Sequence, residues 1–302
     1  MDAERERTPR PARDARSARP VKREIFAGRR LLNIMMTAPQ DGGSTIAIDV
    51  RDLTRRFGPQ TVLDRVSFAC PRGKITTIVG PSGCGKTVLL KHLNFLLRPD
   101  SGRIVIDGED VTDAGWSELN HVRGKFGMLF QAGALFDSIT VAENVAFPLV
   151  EKTRLSRQEI AQRVAEKLAA VGLEGAGNKF PSQISGGMQK RAALARALIH
   201  DPKILLLDEP TTGLDPTRVG AIHHLIRGTQ QRLGLSAVLV SHDVPQVFEI
   251  SDRVAFLHKG RMRLYGTVQE ITSSPDHMFR SFLAGEEIDE EEAEARSSAL
   301  AR

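Results

Sequence analysis

The run Gly80-Pro81-Ser82-Gly83-Cys84-Gly85-Lys86-Thr87 has the G-x-x-x-x-G-K-T spacing of a loop that wraps phosphate. Glycines let successive backbone N–H groups turn inward toward phosphate oxygens, and a helix that begins inside the loop adds the partial positive charge of its N-terminus. In such a loop Lys86 reaches the β- and γ-phosphates, and the Thr87 hydroxyl sits on Mg²⁺. About 120 residues on, Asp208 and Glu209 close the apolar run Ile204-Leu205-Leu206-Leu207. An acidic pair after a strand is, by itself, usually a solvated strand end. The upstream loop reverses that reading, because ligands of open α/β sheets bind at the C-terminal edge of the strands. Asp208 then holds Mg²⁺ through water, and Glu209 polarises the attacking water as general base. The chemistry is binding and hydrolysis of a nucleoside triphosphate.

A second anion site precedes the acidic pair. Ser185-Gly186-Gly187 stands at the opening of an Ala- and Leu-rich helix expected over Arg191 to His200. A chain that already owns one phosphate cradle has no evident use for another. The economical reading gives the second to the nucleotide of another copy of the chain. His242 ends a further apolar run, Val238-Leu239-Val240, on the same side of the expected sheet.

The elements that must hold these residues are legible. Ile75-Thr76-Thr77-Ile78-Val79 reads as a buried strand leading into the phosphate loop. The helix after it has Val88, Leu89, Leu93 and Leu96 as apolar positions. Asp107-Gly108 marks a turn between strand segments. Residues 132–184 are expected to be mostly helical, with Ser156 and Glu159 as a capping box and Ile160, Val164, Leu168 and Val171 along one face. Alternating helices and strands return over 185–265, and a short helix closes the fold near 276–284.

The ordered set resembles the ATP-binding subunit of an ABC transporter over roughly residues 46–284. The resemblance implies an α/β fold: a phosphate-loop core with a mostly parallel sheet, an antiparallel β subdomain and a helical subdomain at about 132–184. It implies that Gln131 (the Q-loop) is catalytic and touches the metal, that Asp215 of Gly213-Leu214-Asp215 (the D-loop) helps bind ATP, and that His242 touches the γ-phosphate. Ser185, Gly186 and Gly187 match a signature that acts on the partner's ATP, with Ile184 and Met188 departing from its consensus. Phe57 alone reads as a core aromatic; the family places an aromatic there to stack on adenine. More narrowly, Ala132-Gly133-Ala134-Leu135-Phe136, Asp243-Val244-Pro245-Gln246-Val247 and Ser-Gly-Gly-Met resemble the Mla-type and Mce-associated lipid-transport ATPases. That implies a homodimer on a separate membrane permease at the cytoplasmic face of the inner membrane. Lipid-binding and small accessory subunits are the implied further partners, and ATP and Mg²⁺ the cofactors. An ATPase for a polar solute such as an amino acid is the alternative, and a non-transport ABC ATPase acting on nucleic acid or ribosomes is a further one.

Composition bounds the rest. The chain has 302 residues and is 41% hydrophobic, enough for one large domain or a domain with a subdomain. No apolar run approaches the 18 residues or so of a membrane-spanning helix. Two cysteines, Cys70 and Cys84, imply no disulfide framework and a reducing compartment. Cys84 inside the loop is either a small side chain that fits or a redox-sensitive one. The pI of 9.4 invites a nucleic-acid partner. However, residues 1–34 hold ten Arg and Lys against five Asp and Glu, a net of +5 that equals the whole chain's, so the body is neutral and that partner is not expected. ABC-type ATPases of chromosomes carry a long coiled-coil insertion, and the interval from Gln131 to Ser185 is too short for one. Residues 1–45 read as a disordered basic tail, with Met35 or Met36 as the expected functional start. Residues 285–302 read as an acidic tail, either solvated or a docking segment.

Overall fold

The computed structural model describes residues 45–131 and 133–286. The expectations for the basic stretch before Thr45, for Ala132 and for the acidic stretch after Glu286 lie outside the described residues.

In chain order the elements are β1 (Ile46–Phe57), β2 (Gln60–Pro71), β3 (Ile75–Val79), α1 (Lys86–Leu93), β4 (Ser101–Ile106), β5 (Glu109–Asp110), α2 (Trp116–Arg123) and β6 (Phe126–Leu129). They continue with α3 (Val141–Lys152), α4 (Arg157–Ala170), α5 (Gly186–Leu198), β7 (Ile204–Asp208), α6 (Pro216–Leu233), β8 (Ser236–Ser241), β9 (Arg253–His258), β10 (Arg261–Gly266), α7 (Val268–Thr272) and α8 (His277–Ala284). Two sheets result. One is antiparallel, in the order β2-β1-β4-β5. The other has the order β10-β9-β3-β8-β7-β6, and every pairing in it is parallel except that of β10 with β9.

The strands β3, β7 and β8 are buried from end to end, as central parallel strands covered on both faces must be. Their two faces feed two cores with the period-2 alternation of a strand. Ile78, Ile204, Leu206, Val238 and Val240 pack with α1 and the antiparallel sheet. Ile75, Val79, Leu205, Leu207 and Leu239 pack with the helical layer, including Val145 of α3, Leu168 of α4 and Leu194 of α5. The parallel sheet is thus covered on both sides, and its C-terminal strand ends gather the loops after β3, β6, β7 and β8.

The structure corrects two local expectations, both of helix ends. The helix α1 stops at Leu93, because Asn94 leaves helical geometry and Phe95 turns left-handed at φ 60°. Leu96 lies beyond it and is 60% exposed instead of joining the apolar face. The helix α5 begins five residues earlier than expected, at Gly186, because the Ser185 side chain accepts from the Met188 N–H and caps it. Among the described residues between 132 and 184, α3, α4 and one short turn make up more than half, as expected, and left-handed glycines at 133, 172 and 175 break the remainder into loops. The Ser156–Glu159 capping box forms as the sequence implies, at 2.7 Å and 3.2 Å.

Candidate nucleotide site

The phosphate loop leaves β3 at Gly80, whose φ is 157°. A Cβ there would stand 2.1 Å from the Leu257 carbonyl oxygen, so only glycine lets the loop pass β9 this closely. Lys86, at the start of α1, is buried with its ammonium folded into the loop. It donates to the Gly80 carbonyl at 2.8 Å and to the Pro81 carbonyl at 2.9 Å. An ammonium has three donors, so one remains for an anion in the same concavity. Ser82, Gly83 and Thr87 are exposed along the loop. Cys84 is buried against Gly80, and burial pushes its thiol pKa up, partly opposed by the Lys86 charge. Such a thiol is a packing group; the redox reading gains no support.

Asp208 ends β7 as a buried carboxylate. Burial pushes its pKa up, and the neighbouring Glu209 charge adds to this; Lys91, Lys86 and the Thr87 hydroxyl oppose it. Its Oδ1 is buried without a hydrogen-bond partner. The next residue, Glu209, adopts a left-handed backbone at φ 45° while its N–H donates to the Val240 carbonyl at 2.9 Å. A non-glycine residue in that conformation carries strain, and the strain here swings the carboxylate off the strand end. Glu209 Oε2 then gathers three groups. It accepts from Gln131 Nε2 at 3.0 Å and Thr212 Oγ1 at 2.9 Å, and His242 Nδ1 lies 3.3 Å away. Three loops, those after β6, β7 and β8, meet at that oxygen. The Thr211 hydroxyl donates to Asp243, the neighbour of His242, and ties two of those loops again.

Sequence reasoning brought Gln131, Glu209 and His242 together. It missed Thr212, Thr211 and Asp243, and also Lys190, which donates to the Gln131 carbonyl. The only sequence signal for the threonines is a pair of hydroxyls directly after the acidic pair.

Phe57 is 43% exposed at the end of β1, with the Arg55 guanidinium 4.7 Å over its ring, so it is not the core aromatic that the residue alone suggested. Ser185 and Gly186 are exposed at the start of α5. They are not brought to the phosphate loop of their own chain. Gly186 lines a cleft of about 450 Å³ with Gln131, Gln189, Lys190, Thr212, Gly213 and Leu214, and no residue of 80–87 lines it. A Cβ on Gly186 or Gly187 would meet nothing closer than 3.7 Å, so the chain's own packing does not demand glycine at either position. Asp215 caps α6, accepting from the Arg218 N–H at 3.1 Å, and pairs with the Arg218 side chain at 3.0 Å.

Comparison with known proteins fits this geometry. The ABC transporter family pattern matches residues 63–212. The intermembrane phospholipid transport ATP-binding protein MlaF of Escherichia coli K12 is 43% identical over 238 residues, covering 79% of this chain and 88% of that protein. A probable ribonucleotide transport ATP-binding protein, mkl, of Mycobacterium tuberculosis H37Rv is 42% identical over 243 residues, covering 80% of this chain and 68% of that one. Among solved structures, a dimeric ATP-binding cassette in a post-hydrolysis state with ADP and Pi is 32% identical, with a TM-score of 0.66 over 73% of this chain and 98% of the other. A Clostridium perfringens cassette from the cbiONQ ABC transporter complex is 31% identical, with a TM-score of 0.72 over 80% of this chain and 96% of that one. With its phosphate loop, acidic strand end and gathered carboxylate in this fold, the chain belongs to the ATP-binding proteins of the ABC transporter family and is an ATPase of that family.

Proposed function

We propose that two copies of this chain bind two ATP molecules at their interface and hydrolyse them to drive phospholipid transport through a separate permease. The observation that carries the hydrolytic part is the Glu209 oxygen held at once by Gln131, Thr212 and His242. A carboxylate so oriented is a general base for water, and it is presented by a strained, left-handed backbone at φ 45°.

The roles follow from this arrangement. The loop N–H groups and Lys86 bind the β- and γ-phosphates, and Phe57 offers its exposed ring to adenine. Asp208 and Thr87 fit Mg²⁺: a buried carboxylate with a partnerless oxygen beside a hydroxyl suits a hard cation that takes its other ligands from phosphate and water. Gln131 supplies a further oxygen donor to that ion. Bound there, Mg²⁺ supplies charge neutralisation on the phosphates. Glu209 takes the proton of the attacking water, and His242 holds the γ-phosphate and the carboxylate in one frame. Ser185, which caps α5, and Gly186 and Gly187, whose small size their own chain's packing does not demand, take the partner's γ-phosphate, with Asp215 beside them across the interface. Residues 46–284 form the ATPase domain, with the helical subdomain at about 132–184 and the tails outside it.

The substrate class rests on resemblance. MlaF is named for phospholipid transport and mkl for ribonucleotide transport, and both are similar to this chain at comparable identity. The MlaF likeness spans more of the relative's length, 88% against 68%, which favours phospholipid. Among the described residues no helix is long and apolar enough to cross a membrane, so the transport path is assigned to a permease. The complex then sits at the cytoplasmic face of the inner membrane, with lipid-binding and small accessory subunits as further partners.

The variant Glu209→Gln tests the centre of this reading. It is expected to bind ATP normally, to form an ATP-stabilised dimer in light scattering, and to lose hydrolysis by on the order of 10²–10⁴-fold. Near-normal turnover would falsify the assignment. Mass spectrometry of lipid co-purifying with the permease complex tests the substrate; a bound hydrophilic solute and no lipid would favour the polar-solute alternative.

A further inference from the structure

Two cations of α5 grip the backbone of the loop that carries Gln131. Lys190 Nζ donates to the Gln131 carbonyl. Six residues on, Arg196 donates from Nη1 to the Ala134 carbonyl and from Nη2 to the Gly133 carbonyl, both at 2.7 Å. Gly133 and Ala134 are consecutive left-handed residues, at φ 73° and 49°. A left-handed alanine is strained, and here the conformation turns two carbonyls toward one guanidinium. The planar fork of arginine makes such a double contact stiff, which lysine cannot do. Lys190 is buried; burial lowers its pKa, and the charge of nearby Glu209 opposes that. These cations have an alternative in water and are held instead on carbonyls of a single loop.

The consequence lies in what each end of α5 touches. Its N-terminus is the Ser185-Gly186-Gly187 segment, exposed at Ser185 and Gly186 and half-buried at Gly187. Its middle holds the loop whose Gln131 side chain donates to Glu209 at 3.0 Å. The N-terminus belongs to the partner's nucleotide, and the carboxylate belongs to the chain's own.

We propose that Lys190 and Arg196 are positioning residues that carry the occupancy of one nucleotide site to the hydrolytic carboxylate of the other, with α5 as the rigid connection. The proposal rests on the two-copy reading above. A nucleotide pulling on the helix start moves the clamped loop, and Gln131 moves Glu209 with it. Each site is then fully assembled only when the other is filled.

The test is hydrolysis by the full chain as a function of ATP concentration. Wild type should give a sigmoidal curve with a Hill coefficient between about 1 and 2, the limit for two sites. Arg196→Lys should bring the coefficient to about 1 while leaving single-site affinity for a fluorescent ATP analogue unchanged. Lys190→Met should do the same, and Lys190→Arg should restore cooperativity. A second arm mixes wild type with Lys86→Ala chains: the intact site should be slowed severalfold by its empty neighbour, and Arg196→Lys in the intact chain should remove that dependence. A hyperbolic wild-type curve overturns the proposal, as does a lowered kcat with the Hill coefficient intact. Gly187→Asp separates the two readings. If it loses hydrolysis while Arg196→Lys stays cooperative, only the coupling fails; if it hydrolyses normally, the two-copy reading fails as well.

Discussion

The molecule has two helix starts built for anions, and they differ in what their glycines do. At α1 the glycines are demanded by the chain itself. Gly80 has no room for a Cβ beside the Leu257 carbonyl, and a Cβ on Gly85 would stand 2.8 Å from Leu63 Cδ2. Lys86 completes the cradle by folding onto two loop carbonyls. At α5 the glycines are spare: Gly186 and Gly187 face only ordinary contact distances and one is exposed. The first start is a finished site. In the two-copy reading proposed above, the second is half of a site whose other half lies on the partner copy.

The largest expected effects come from adding side chains at the two starts. Gly80→Ala forces a Cβ against backbone, in a conformation that L-residues rarely adopt. Overpacking of this kind costs roughly 1–3 kcal/mol, so the variant should melt lower and lose nucleotide binding outright. Gly187→Asp should leave the melting temperature and single-chain ATP binding nearly unchanged. It should nevertheless reduce hydrolysis by on the order of 10²-fold or more, since a carboxylate set against phosphate costs several kcal/mol. Calorimetry, nucleotide titration and phosphate release separate the outcomes. Equal effects on stability at the two glycines would erase the distinction between a finished and a half-finished site.

The same contrast explains what could be read in advance. The phosphate loop, its strand and its helix are contiguous in sequence, so spacing alone located them. The acidic strand end and His242 were legible because each follows a short, unbroken apolar run, and buried parallel strands need such runs. Lys190 and Arg196 were not legible. Their partners are loop carbonyls about sixty residues away, and nothing in the composition of a helix shows which backbone it will hold. Thr212 was missed because a hydroxyl after an acidic pair has many local uses. The early stop of α1 escaped because periodicity predicts which face is apolar and not where a left-handed residue such as Phe95 ends the helix.

A smaller effect sharpens the role of the Glu209 frame. Thr212→Val keeps the shape and removes the hydroxyl that donates to Glu209 Oε2 at 2.9 Å. Hydrogen bonds to charged groups contribute roughly 1.5–3 kcal/mol, and Gln131 and His242 remain to orient the oxygen. The expected result is a fall in kcat of about tenfold with ATP affinity unchanged, and recovery in Thr212→Ser. A change in affinity with constant kcat would instead place Thr212 in binding.

The smallest effect on stability is one of sign, and it concerns Asp208. A carboxylate held in its native place by ion pairs has a lowered pKa and stabilises the fold above its unfolded value. Asp208 is the reverse: burial and the Glu209 charge raise its pKa above the ordinary 3.8. A raised folded-state pKa favours the protonated form. Its contribution to stability is therefore fully present below about pH 3.8 and is lost as pH rises through the folded value. Asp208→Asn has no such titration. Without nucleotide and metal, the variant should melt above wild type at neutral pH, and the gap should close as both are acidified toward pH 3.8. With Mg²⁺ and ATP the order should reverse, because only the carboxylate gains a cation there, and hydrolysis by the variant should be lost. Thermal denaturation of both chains from pH 4 to 8, with and without Mg²⁺ and ATP, makes the comparison. An Asp208→Asn chain that melts below wild type at neutral pH without ligand would show that Asp208 is a structural carboxylate, and its assignment to the metal would fall.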